Sequence, residues 1–227
     1  MCGPLIRLIK IYTIAQKFDM VIVEDDAYFY LQLPSLDTAG DADPSCMPGL
    51  HRLPPTMLSL DVDGRVIRFD TFAKAFGPGL RLGIITAHKD ILDPILLFNE
   101  TNVSMPNGLA CVAMYKLVEK WGDDGFHRHL CKVQAEFHRR RRVLLDLMDK
   151  HLTGLLHWKA PEAGMFVWID FPNTTDAEPV VEELINVHHV LVIAGHYFSK
   201  TRMPTSRARL TFALATDAQM ETGVVYV

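Results

Sequence analysis

Cysteine is scarce in this sequence. Among 227 residues there are four, Cys2, Cys46, Cys111 and Cys131, and no two form a CxxC pair. Their scatter indicates neither a zinc site nor a disulfide framework, and it fits a reducing, intracellular setting. Long hydrophobic runs are also missing, and none has the length that spans a bilayer. The first apolar stretch contains Arg7 and Lys10, which spoil a signal-peptide core. Cytoplasmic location is therefore the default expectation, with no membrane partner. Neither sign of charge dominates. The net charge of -4 argues against a nucleic-acid surface. The run His138-Arg139-Arg140-Arg141-Arg142 lies inside a helical pattern and reads as a solvated helix face rather than a phosphate grip. No internal repeat or low-complexity tract is evident.

What is present is an ordinary globular composition, 49% hydrophobic and 22% charged, in a chain long enough for one domain or two small ones. Residues 4–18 carry apolar positions at helical spacing, Leu5, Ile6, Leu8, Ile9, Tyr12, Ala15 and Phe18. Met20 to Val23 reads as a short strand. The cluster Glu24-Asp25-Asp26-Ala27-Tyr28 follows at its C-terminal end, where open α/β sheets collect ligands. For Glu24 and Asp26 loop capping is the preferred reading. Residues 32–55 are rich in proline and polar residues, and Asp37 to Asp43 reads as a surface loop. Met57 to Asp63 reads as an edge strand and Asp63-Gly64 as a turn. Helices are expected over Lys89–Asn99, Pro106–Trp121 and Phe126–Leu152, the last two separated by a break at Gly122-Asp123-Asp124-Gly125. Phe137, Leu144, Leu145 and Met148 mark the core side of the third. The last part alternates strands (Leu155–Lys159, Gly164–Asp170, Val190–Ile193, Arg207–Ala213) with a helix over Asp176–Val187, an α+β layer.

The chemistry concentrates in Thr71-Phe72-Ala73-Lys74-Ala75-Phe76-Gly77-Pro78-Gly79-Leu80-Arg81-Leu82-Gly83. A buried strand, Val66 to Phe69, leads in, and another, Leu82 to Ala87, leads out. Gly77-Pro78-Gly79 cannot continue a helix, so the lysine sits on a bend. An amine that bonds a carbonyl must be neutral, a state that burial and a nearby cation both favour. Thr71 and Arg81 are suited to holding an anion close by.

This stretch resembles the active-site segment of class I/II aminotransferases, pyridoxal-phosphate enzymes of the aspartate-aminotransferase-like fold (fold type I). Their pattern is Ser-x-Ser-Lys, a spacer, then Pro-Gly-x-Arg-x-Gly; here Thr71 stands for the first Ser and Ala73 for the second. The resemblance implies a Schiff base between Lys74 and pyridoxal 5'-phosphate, with Thr71 and Arg81 on the phosphate. Ala73 removes one expected hydrogen bond. Asp25 and Tyr28 match an Asp-x-x-Tyr motif, which implies Asp25 at the pyridine nitrogen and Tyr28 at the ring oxygen. A carboxylate near a protonated ring nitrogen keeps the cofactor an effective electron sink. Pro161-Glu162-Ala163-Gly164-Met165-Phe166 and Ala194-Gly195-His196-Tyr197-Phe198 resemble two further family stretches, with Ala163 and Ala194 as departures. For Phe166, Trp168, Tyr197 and Phe198 core packing is the preferred reading. Arg209, in Arg209-Leu210-Thr211-Phe212, matches the family's arginine for the substrate's α-carboxylate, where a planar fork suits two parallel bonds.

The resemblance implies an α/β fold: part of a large cofactor domain with a mostly parallel sheet over 1–125, then a small α+β domain over 126–227 that includes the linking helix. Of the family's Asn-Pro-x-Gly turn only Cys2-Gly3-Pro4 remains, so an N-terminally truncated chain with exposed sheet edges and apolar surface is expected. The implied activity is amino transfer from an aromatic or 2-aminoadipate-like amino acid to a 2-oxo acid, in a homodimer if intact. The alternatives are an inactive fragment, or a lyase or decarboxylase on the same scaffold.

Overall fold

The computed structural model describes residues 5–36, 45 and 47–227. Cys2, Cys46, the Cys2-Gly3-Pro4 remnant and the loop expected at 37–43 lie outside the described residues. The chain divides into two compact units, Met1–Gln32 with Met47–Gln134, and Leu33–Cys46 with Ala135–Val227.

The first unit opens with helix α1 (Leu5–Lys17). Its buried residues, Leu8, Tyr12 and Ala15, recur at the spacing of one helix face. Leu8 and Tyr12 pack with Met57 and Val66, and the Tyr12 hydroxyl accepts a bond from the Val62 amide at 2.9 Å. Strand β1 (Ile22–Asp25) starts two residues later than the sequence predicts. The helix's closing turn takes the difference: Met20 N–H donates to Ala15 O at 2.8 Å, and Asp19 is left-handed at φ 49°. The shift makes Asp25 the last residue of the strand.

Strands β2 (Val66–Thr71) and β3 (Gly83–Thr86) complete a sheet of order β1-β2-β3. The β1–β2 pair is parallel and the β2–β3 pair antiparallel, so the described part of this sheet is mixed. The edge strand predicted at Met57–Asp63 is instead a 3-10 turn, Leu58–Leu60. Local side chains took over its backbone groups. Thr56 and Ser59 bond each other's amides, Glu24 accepts from Met57 and Leu58, and Asp61 accepts from Gly64, Arg65 and Val66.

Helix α2 (Lys89–Asn102) buries no residue. Helix α3 (Gly108–Leu152) gives its earlier residues to the first unit and the rest to the second. The predicted four-residue break contracts to Gly122 alone, at φ 57° and ψ -170°, a conformation that costs little only without a Cβ. Gly125 is helical, and a side chain there would meet the Trp121 Cβ at 2.6 Å. An apolar cavity of about 590 Å³ lies among Phe72, Leu82, Ile84, Met114 and Val118; no candidate site residue lines it.

The second unit holds a four-stranded antiparallel sheet of order β4-β5-β7-β6: β4 (His157–Trp158), β5 (Phe166–Asp170), β6 (Ile193–Ala194) and β7 (Arg207–Thr211). Alternation along β5 buries Val167 and Ile169 and exposes Trp168. Helix α4 (Glu178–Asn186) buries Val181 and Leu184. Helix α5 (Asp217–Tyr226) buries Met220 and Val224 behind a capping box made by Thr216 and Gln219.

The basic run of α3 is not a uniformly solvated face. Arg139 and Arg140 pair with Glu136, and Arg139 also with Asp217. Arg141 is only 1% exposed and His138 is fully buried. Arg141 donates to Pro161 O at 2.6 Å, to Pro34 O at 2.5 Å and to His138 Nδ1 at 2.8 Å. Charge alone could not reveal this, because the difference lies in what the helix packs against.

Candidate active site

Two parallel strands that end together build the site. Asp25 closes β1 and is in register with Phe69; Thr71 closes β2 two residues further on. Side chains alternate along a strand, so Asp25, Phe69 and Thr71 share one sheet face while Glu24, Arg68 and Asp70 share the other. That division sorts the acidic cluster. On the second face Arg68, 4% exposed, binds both oxygens of Asp70 at 2.9 and 2.8 Å and pairs with Glu24 at 3.0 Å. Asp26 lies 3.9 Å from the same guanidinium, and the Phe29 ring stacks on it at 4.4 Å. Burial pulls the Arg68 pKa down, but Asp70 and Glu24 outweigh it, and the net shift is upward. Glu24 and Asp26 are thus structural carboxylates, whereas Asp25 stands exposed at the strand end.

The bonded turn after β1, with Phe29 N–H on Asp26 O at 3.0 Å and Leu31 N–H on Tyr28 O at 2.9 Å, carries Tyr28. Lys74 Nζ lies 5.3 Å from the centre of the Tyr28 ring. The lysine sits on the turn that follows β2, half-buried. Phe76 and Gly77 amides both donate to Phe72 O, and Phe72 N–H donates to Leu82 O. The Thr71 hydroxyl accepts from Ala73 N–H at 3.1 Å and donates to Leu82 O at 3.2 Å. An incoming anion must therefore draw that hydroxyl proton away from Leu82. Pro78–Leu80 forms a single 3-10 turn, capped by Arg81 in the left-handed region at φ 51°. That conformation is strained for a residue with a side chain, and it leaves the Arg81 guanidinium exposed.

The structure thus brings Asp25, Tyr28, Thr71 and Lys74 to the C-terminal ends of β1 and β2, with Arg81 on the same returning loop. Arg209 belongs to the other unit. It sits half-buried on β7 between Trp168 of β5 and Ile193 of β6, its guanidinium 3.8 Å from the Phe166 ring centre and 4.2 Å from that of Phe198. The core reading of the neighbouring aromatics is corrected here. Trp168, Tyr197 and Phe198 are 42%, 55% and 46% exposed, and Trp168 meets Phe198 edge to face at 5.1 Å. Phe166 and Phe198 each lie against the cation rather than fill a core, which restrains the guanidinium.

Sequence reasoning missed the support under the lysine loop. His129 Nε2 bonds Ala75 O at 2.8 Å, and Phe76 stacks on His129, Phe126 and Trp121. The signal was present in Trp121-Gly122, Gly125-Phe126 and His129, but it reads as a helix break until the loop is placed against it.

A family model described as aminotransferase class I and II matches residues 1–227, the whole chain. The chain belongs to this family. It is 36% identical over 214 residues to the mitochondrial kynurenine/alpha-aminoadipate aminotransferase of Mus musculus, covering 94% of this chain and 47% of that one. The aromatic aminotransferase Aro9 of Candida albicans superposes with a TM-score of 0.83 at 31% identity, over 96% of this chain and 50% of that one. The fold alone is also shared with LysN, an alpha-aminoadipate aminotransferase of Thermus thermophilus complexed with N-(5'-phosphopyridoxyl)-L-leucine: TM-score 0.84, 21% identity, covering 98% and 53%. The architecture is accordingly that of the fold type I aminotransferases, and the chain spans about half the length of the relatives it matches. No group of residues that could hold a metal ion occurs among the described residues, and no described helix is long and apolar enough to cross a membrane.

The donor set of this aminotransferase-family chain fits pyridoxal phosphate. A half-buried amine lies against a phenol ring, a hydroxyl and an exposed guanidinium share the loop, and a carboxylate stands on the hydroxyl's side of the sheet. Beside them, chain neighbours apart, Gly77 and Gly79 have nothing within 4 Å of where a Cβ would be, so the space next to the loop is open.

Proposed function

We propose that this chain carries the lysine half of an aminotransferase site and serves the transfer of an amino group from an aromatic or 2-aminoadipate-like amino acid to a 2-oxo acid. The observation that carries the reading is the amine of Lys74 against Tyr28 at the ends of β1 and β2, on the loop shared with Thr71 and Arg81. Bound pyridoxal phosphate supplies an aldehyde for the amine and a ring that accepts electron density from the substrate's α-carbon. Lys74 would hold the group through that aldehyde, and its free amine would carry the proton from the substrate's α-carbon. Asp25 would pair with the ring nitrogen and favour its protonated form. Tyr28 donates to the ring oxygen. Thr71 and Arg81 hold the phosphate, with Ala73 supplying no hydroxyl. Arg209, steadied by Phe166 and Phe198, forks onto the substrate's α-carboxylate.

In this reading 1–125 is the cofactor part and 126–227 the smaller part, the protein if intact works as a homodimer, and it resides in the cytoplasm. The mouse relative is named mitochondrial, so fractionation decides the compartment. The names of the relatives favour transfer over lysis or decarboxylation.

The test is direct. The protein is mixed with pyridoxal phosphate, and imine absorbance is followed beside Lys74→Ala. Amine transfer from 2-aminoadipate or kynurenine to 2-oxoglutarate is then assayed. A band and transfer that both vanish in Lys74→Ala support the reading; release of carbon dioxide without transfer contradicts it.

A further inference from the structure

We propose that His129 is a positioning residue for Lys74, acting through the carbonyl of Ala75. This rests on the reading of Lys74 given above. His129 lies on α3 one helical turn beyond Phe126, in the segment that resumes after the Gly122 kink. Its Nε2 is 2.8 Å from Ala75 O. A carbonyl can only accept, so Nε2 carries the hydrogen. The ring also stacks on Phe76 at 4.8 Å and tilts against Trp121 at 5.0 Å. One side chain therefore grips both residues that follow the lysine, by a hydrogen bond to the first and by ring stacking on the second.

The loop is also held to α3 by apolar packing: Phe76 stacks on Phe126 and Trp121, and Phe72, Phe76 and Leu80 pack beside Ala110 and Met114. Its own bonds run from Phe76 and Gly77 to Phe72 O, and from Phe72 and Thr71 to Leu82 O. These close the turn on itself and on Leu82, the residue before β3. His129 adds to that packing a side-chain hydrogen bond from the helix to the middle of the turn. The kink makes the grip possible: Gly122 turns the helix, and Gly125 lets Trp121 sit close enough to complete the wall around Phe76. A lysine whose backbone drifts by about 1 Å loses the attack geometry that a carbonyl requires. Holding Ala75 fixes the Cα next to it.

The experiment measures amide hydrogen exchange across 72–77, without added cofactor, in wild type, His129→Ala, His129→Phe and His129→Gln. Gln reaches as far as Nε2 and donates; Phe keeps the stack and cannot donate. Exchange at Phe76 and Gly77 is expected to rise about 10-fold in Ala and Phe and to return towards wild type in Gln, with β2 unchanged. In a second arm pyridoxal phosphate is added with borohydride, and modification of Lys74 is timed. It should slow about 10-fold in Ala and Phe and recover in Gln. Equal exchange at Phe76 and Gly77 in wild type and Phe, or no recovery in Gln, overturns the proposal. If wild type takes up no cofactor, the reading of Lys74 fails while the exchange arm still decides whether His129 holds the loop. Should His129→Ala not fold, the Phe and Gln proteins carry the comparison.

Discussion

Among the described residues each unit buries one arginine, and the two are stabilised by different chemistry. In the first, Arg68 faces the carboxylates of Asp70, Glu24 and Asp26, with Phe29 against it. In the second, Arg141 faces two backbone carbonyls and a histidine nitrogen. Burial acts on both. Around Arg68 the carboxylates more than offset it; Arg141 has only distant help from Glu162, and burial brings it down to about 10. The difference shows what each cation is for. Arg68 neutralises acidic residues that crowd the end of a strand, immediately beside Asp25. Arg141 satisfies carbonyls that the chain cannot pair otherwise.

The surfaces differ in the same way. The second unit closes its core with Val167, Ile169, Ala208 and Phe212, each at most 1% exposed. The first leaves Ile6, Ile9 and Ile14 of α1, Phe18 just after it, and Leu96, Leu97 and Phe98 of α2 exposed, together with Val23 of β1. The second unit also exposes Leu155, Val187, Leu191, Met203 and Leu214, but fewer large apolar residues than the first. The loops that carry Tyr28 and Lys74 thus stand on the unit with more exposed apolar residues.

Replacing Arg68 should have the largest effect. Arg68→Ala strands the Glu24 and Asp70 charges, with an expected loss of about 3–5 kcal/mol in chemical denaturation. Arg68→Ala with Asp70→Asn should recover part of it; full additivity would show that the pair is not coupled. Arg141→Ala leaves two carbonyls unbonded and should cost about 3 kcal/mol, with no recovery from any carboxylate change. A more modest loss, about 1 kcal/mol, is expected for Thr216→Ala, which opens the α5 capping box.

The smallest effect is a pH dependence confined to the second unit. His138 has its pKa lowered by burial, then by Arg141 and Arg142, from an ordinary value of 6.5. The unfolded chain takes up a proton near that value while the folded one resists it. Stability is therefore full above about pH 6.5 and falls as pH drops towards the lowered folded value. His138→Gln should flatten that slope. An equal slope in His138→Gln would assign it to other groups.

Much of this was legible in the sequence, for reasons that can be named. The run Val66 to Phe69, followed by Gly77-Pro78-Gly79, reads as strand then bend because its apolar period and its breakers are local. The order Asp25, Tyr28, Thr71, Lys74, Arg81 is likewise local, and strand alternation then places Asp25 and Thr71 on one side. Long-range partners were invisible. Nothing in His138-Arg139-Arg140-Arg141-Arg142 says which arginine meets Pro34 and Pro161. Met57 to Asp63 has a strand's apolar residues, but Thr56, Ser59, Asp61 and the distant Glu24 claim its amides. Phe166 and Phe198 are 32 residues apart, counting from their numbers, and only the sheet brings both to Arg209.

The most direct test of the central claim is chemical. The protein is incubated with pyridoxal phosphate, reduced with borohydride, digested and mapped by mass. The account predicts one dominant phosphopyridoxyl adduct, on the peptide containing Lys74, that is lost in Lys74→Ala. Label spread over surface lysines such as Lys89 and Lys116, with none enriched at Lys74, would contradict it.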